Sequence, residues 1–155
     1  MNDVIENLAV MDEKISSFLK SQTNMTLAVS ENNIPYCANC FYAFSEKENL
    51  LIFKSKPETT HLKFALKNNK VAGTIIPDSL DKKRIQGVQF TGKFFQPKRE
   101  LFSSAQNIYY KKFPYALIVS GELWAIELHS IKFTDNKLGF GKRMEWKKEL
   151  NSSAC

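Results

Sequence analysis

The chain has 155 residues, 43% of them apolar and 25% charged, with a formal net charge of +6. That length bounds it at one domain spanning 1–155, able to bury roughly 70% of its unfolded surface. No run reaches the ~18 apolar residues of a membrane span, and Arg84, Arg99 and Arg143 are the only arginines among 22 basic residues, so neither membrane nor nucleic acid is an expected partner.

Val4, Leu8, Met11, Ile15 and Phe18-Leu19 recur at three- and four-residue spacing, which predicts an amphipathic helix over 3–21. Acidic residues interrupt this start and no basic-then-apolar signal pattern is present, so the expected location is the cytoplasm. Met25 to Ser30 reads as a strand, Glu31-Asn32-Asn33 as a turn, Tyr36 to Ser45 as a second strand, and Leu50 to Lys54 as a third after a turn at 46–49. A helix is predicted over 57–67, then strands over 71–76 and 85–95, the latter bending around a barrel corner with Gly87 and Gly92. A third helix follows over 99–113.

The last block, Glu122 to Trp146, is the most specific. Trp124, Ile126 and Leu128, then Ile131 and Phe133, alternate with polar or small residues, and the slip near Ser130 predicts a bulge. Thr134-Asp135-Asn136 supplies a turn. Six or seven strands without strict βαβ alternation favour a mainly β class, a small mostly antiparallel barrel with helices.

Two constellations could carry chemistry. The first is Ser55-Lys56-Pro57-Glu58-Thr59-Thr60-His61, where a strand should end and a helix begin. Ser55 and Glu58 have capping-box spacing; Lys56, the Thr59 and Thr60 hydroxyls and His61 could instead complete a phosphate cradle at the helix start. Both readings stay open on spacing alone. The second is Cys37-Ala38-Asn39-Cys40, a C-x-x-C pair. In a strand its sulfurs point to opposite faces, and His61 and His129 are the only histidines, so no metal site is expected. Gly139-Phe140-Gly141-Lys142 lacks the spacing and the Ser/Thr of a P-loop. Aromatics such as Phe41, Tyr42, Phe94 and Tyr109 suit a core, a subunit contact or the wall around a planar ligand.

With these residues in view, the chain resembles the pyridoxamine 5′-phosphate oxidase-like FMN-binding split-barrel superfamily, and within it the YhbP-like branch. The matching words are CANCFYAF at 37–44, Ser55…Thr59-x-His61, RIQGVQFTGKF at 84–94, KKFPYA at 111–116 and WAIELHSIKFTDNKLGFGKRMEW at 124–146. The resemblance implies a six-stranded split barrel, a homodimer, and FMN in clefts shared by two subunits. It implies that Ser55, Thr59 and His61, with Lys56 and Thr60 beside them, hold the phosphate. Asn39, Phe41 and Tyr42 would lie along the flavin ring, Gln89 would reach it, and Lys142 and Trp146 would complete the cleft. Vitamin B6 oxidases proper use a C-terminal Arg-x-His element, which Lys147 to Cys155 does not contain. The expectation is therefore a flavin-dependent oxidoreductase acting on a small molecule other than pyridoxamine phosphate; the alternative is a flavin- or haem-binding module without turnover.

Overall fold

The computed structural model describes residues 10–138 and 143–149. In chain order the elements are α1 (Glu13–Ser21), β1 (Asn24–Glu31), β2 (Ile34–Ser45), β3 (Leu50–Ser55), α2 (Thr60–Lys67), β4 (Lys70–Ile75), β5 (Gln86–Phe95), α3 (Arg99–Lys112), β6 (Glu122–Asp135) and β7 (Arg143–Lys147). Short 3₁₀ segments cover Pro114–Ile118 and Asn136–Leu138.

All strand pairings are antiparallel, in the order β3-β2-β1-β4-β5-β6-β7, and β3 pairs again with β6. Six strands therefore close on themselves, and β7 is carried outside the ring. The 14 residues of β6 make this possible. Glu122 to Glu127 runs beside β3, whereas Ser130 to Thr134 runs beside β7. The change of partner coincides with the expected bulge: Thr91 faces Ser130 and Gly92 faces Leu128, leaving His129 over. Gly92 is required there, because a Cβ would lie 2.4 Å from the Glu127 carbonyl oxygen. The fold is the mainly β split barrel that the sequence led us to expect.

Period-2 alternation divides the side chains between two cores. Leu27, Tyr42, Leu51, Phe90 and Ile126 fill the barrel, which α1 covers with Ile15 and Leu19 and α2 with Leu62 and Ala65. Inside it Phe94 stacks on Trp124 at 5.2 Å between centroids. Outside the wall, Ala105, Tyr109 and Phe113 cover Ala43, Ile52 and Ala125. The β1–β2 turn needs φ values of 50° and 63°, and Asn32 and Asn33 are among the few residues that adopt them readily.

Three expectations change. The first helix begins at Glu13, because the Asp12 carboxylate accepts a hydrogen bond from the Lys14 N–H at 2.8 Å and caps it; residues 3–9 lie outside the described residues. The second helix begins at Thr60, three residues late: Ser55 still belongs to β3, so it forms no capping box with Glu58. A 3₁₀ segment, Pro114–Ile118, follows α3 where none was expected. Among the described residues no helix is long and apolar enough to cross a membrane.

Gly73 tests the packing of the β1–β4–β5 wall. A Cβ there would sit 2.4 Å from both the Thr26 carbonyl oxygen and the Phe90 ring. Gly73→Ala should lower the unfolding free energy by about 1–3 kcal/mol in urea denaturation; an unchanged midpoint would contradict this packing.

Candidate functional site

Ser55 is the last residue of β3, where the ring closes. It pairs with Glu122, and its carbonyl accepts the Trp124 indole N–H at 3.0 Å. With the backbone so fixed, its hydroxyl meets the start of α2. Oγ lies 2.8 Å from His61 Nε2 and 3.4 Å from Thr59 Oγ1, and Thr59 Oγ1 is 3.5 Å from His61 Nε2. Three polar side chains from a strand end and a helix start thus converge on one point.

The Thr59 hydroxyl also donates to the Lys56 carbonyl at 2.8 Å, alongside the Thr59 N–H at 3.1 Å. It therefore does not cap α2 with its side chain. The first N–H groups of that helix have no acceptor within the helix, and with the helix dipole they favour an anion. His61 is half-buried, and burial holds its pKa below the ordinary 6.5. The ring is accordingly neutral at pH 7. Cys40 Sγ lies 4.0 Å from His61 Nε2, and burial pushes this thiol up to about 11, so it adds no charge to the cluster.

This cluster forms one rim of a cavity of about 300 Å³. Asn39 and Phe41 line it from the outer face of β2; Tyr109, Phe113, Tyr115 and Val119 form the opposite wall. The Thr26 hydroxyl donates to Asn39 Oδ1 at 2.9 Å, leaving the amide NH₂ as a donor. Burial raises the Tyr109 phenol to about 12, so this wall is uncharged. Lys54 also lines the cavity, donating to the Tyr110 hydroxyl at 3.0 Å and the Ala116 carbonyl at 2.7 Å. Sequence reasoning passed it over as the end of a strand; its place beside Ser55 was the available signal.

The expected site residues fall into four groups. Asn39, Phe41, Ser55 and His61 line the cavity, and Thr59 joins them through its hydroxyl, with Lys56 and Thr60 exposed on the same turn. Two others are corrected. Tyr42 points to the face of β2 opposite Phe41, is fully buried, and donates its phenol to the Leu19 carbonyl at 2.7 Å. Trp146 is buried in the barrel core opposite Ile131, so its ring lies along no open cleft. Gln89 stands apart on the exposed face of β5. The row Asn39, Thr26, Thr74, Gln89 puts it three strand spacings from Asn39, roughly 14 Å along the sheet at ~4.8 Å each. Lys142 lies outside the described residues.

The cluster can hold an anion by hydrogen bonds. It does not resemble a hydrolytic triad, since among the described residues no carboxylate contacts His61. Cys37 is exposed and Cys40 buried, and among the described residues no three of His, Cys, Asp and Glu converge as metal ligands.

No family model matches the sequence. Among curated proteins, a UPF0306 protein of Pasteurella multocida is 36% identical over 138 residues, covering 89% of this chain and 93% of the relative. Similar solved structures include a haem-binding protein from Mycobacterium smegmatis (TM-score 0.68, 13% identity, 82% of this chain and 53% of that one). An FAD-binding protein from Mesorhizobium loti gives a TM-score of 0.65 at 13% identity, over 81% of this chain and 95% of that one. A proposed pyridoxamine 5′-phosphate oxidase from Listeria innocua gives 0.62 at 15% identity, over 78% and 95%. At these identities the likeness is one of fold.

The site's electrostatics predict a titration. By NMR, the His61 ring should have its midpoint below 6.5 because burial disfavours the cation. The unfolded chain then binds the proton more readily, so this group's contribution to stability is complete above 6.5 and is lost as pH falls towards the folded midpoint. A midpoint above 6.5 would mean that the ring is not buried as described.

Proposed function

This chain belongs to the UPF0306 family, and on that footing we propose that it binds FMN at the rim of its barrel and serves as a flavin-dependent oxidoreductase. The convergence of Ser55, Thr59 and His61 ahead of α2 carries the reading. Hydroxyls and helix-start N–H groups are the donors that a phosphate takes, so this donor set suits the flavin's terminal group. Ser55 would donate through its hydroxyl and His61 through a ring N–H. The Thr59 hydroxyl would turn its one proton from the Lys56 carbonyl to the phosphate, and Lys56 and Thr60 would flank the phosphate on the solvent side. Asn39 would hydrogen-bond the ring edge and Phe41 would pack on its face; Phe41 is 53% exposed, with surface to give. The bound flavin supplies the electron chemistry, and these side chains orient it beside a small-molecule substrate.

The reading extends to a homodimer, to the YhbP-like branch of the pyridoxamine 5′-phosphate oxidase-like superfamily, and to the cytoplasm. A hollow of about 640 Å³ on the outer sheet face, lined by small residues such as Ala28, Ser30 and Ala72, supports a second copy there. Gln89, on that same face, is assigned to the flavin of the second copy. A second reading, a module that holds flavin or haem without turnover, has one observation in its favour: neutral, half-buried His61 is the form of imidazole that ligates iron.

The anchor is tested by titration. Thr59→Val with His61→Ala should weaken FMN by roughly tenfold to a hundredfold and riboflavin little, since only FMN carries the phosphate. Equal weakening of both would move the phosphate elsewhere. The FMN advantage of wild type over His61→Ala should grow as pH falls through the lowered His61 midpoint, because the protonated ring adds a charge. A flavin that binds but stays oxidised with NADPH, NADH and other reductants in stopped flow would favour the module.

A further inference from the structure

Lys54 and Ser55 follow one another at the end of β3, so their side chains leave opposite faces of the strand. Ser55 meets His61; Lys54 reaches under the 3₁₀ segment at the other side of the same cavity. Its ammonium donates to two neutral acceptors, the Tyr110 hydroxyl and the Ala116 carbonyl. An ammonium has three donors, so one N–H is left over. Among the described residues its charge is not paired, since no carboxylate lies within 4.0 Å of it. A partly buried cation without a counter-ion favours an anionic ligand, which would replace lost hydration with an ionic hydrogen bond.

The wall between the two polar ends is aromatic. The Phe113 ring lies 5.1 Å from Tyr109, 5.9 Å from Phe41 and 6.4 Å from Tyr115, a run of rings suited to a flat or apolar body. We propose that Lys54 makes its end of the cavity a seat for the carboxylate of an aromatic acid, and that this is the substrate class of the site. The inference rests on the flavin reading only in calling that acid a substrate. Lys54 binds and orients the acid by its charge and takes no proton from it.

The test uses the full chain and two probes of like shape, benzoate and its uncharged counterpart benzamide, titrated by NMR shift changes; FMN is titrated separately. Benzoate should bind roughly tenfold more tightly than benzamide. Lys54→Met should abolish that preference and Lys54→Arg should keep it. Equal affinities in wild type, or a benzoate preference that survives Lys54→Met, would overturn the proposal. The wild-type comparison needs no substitution, so it decides even where Lys54→Met fails to fold. Failure of benzoate with FMN still bound removes this seat alone, and failure of FMN with benzoate retained removes the flavin reading alone.

Discussion

The closing pair of the barrel, Ser55 opposite Glu122, governs the position of everything at the candidate site. The β3–β6 ladder ends there, and the Trp124 indole holds the Ser55 carbonyl from inside the ring. Gly121, at φ +140°, brings the incoming chain close against Ser55, where a Cβ would lie 3.3 Å from its carbonyl carbon. Ser55 is thus fixed by a strand partner, an indole and the close approach of Gly121. The start of α2 then needs only a short connection, Lys56 to Thr59, to bring Thr59 and His61 against its hydroxyl.

The same closure sets two different polar surroundings at one strand end. Its final two residues face opposite ways, one towards a neutral hydroxyl–imidazole cluster and the other towards an aromatic wall. Burial keeps the first cluster uncharged: the imidazole loses its proton easily and the Cys40 thiol holds its own. Such a rim binds an anion through directed donors and a helix start rather than through net charge. The other end carries the charge, on Lys54, where neutral oxygens position it without cancelling it.

Much of the barrel was legible because burial on one face of a strand imposes alternation. Trp124 to Phe133 showed it, and the slip at Ser130 gave the bulge to within one residue. The turn at Asn32-Asn33 was legible through φ values that few residue types tolerate. The site was legible only in part. The residues of its hydroxyl–imidazole cluster could be named because hydroxyls and a histidine beside a helix start are chemically conspicuous. Phase along β2 was not resolved: Phe41 and Tyr42 are both aromatic, and whether one faces out depends on which partner closes the barrel. Trp146 read as a cleft residue through the family resemblance alone, and its pairing with Ile131, 15 positions away, was not visible in the sequence. The start of α2 was misplaced because Ser55 has capping chemistry, yet the ladder to Glu122 outcompetes a cap. The 3₁₀ wall comes from packing against α3, which no local pattern announces, and for Lys54 the sole signal was its place beside Ser55.

The central claim is that this closed rim selects a flavin phosphate. The most direct measurement is the absorption spectrum of the protein as purified and after addition of FMN, with chemical identification of whatever chromophore is released. The account predicts a flavin spectrum and FMN as the released compound. A haem spectrum, or a protein that stays free of flavin in the presence of excess FMN, would contradict it.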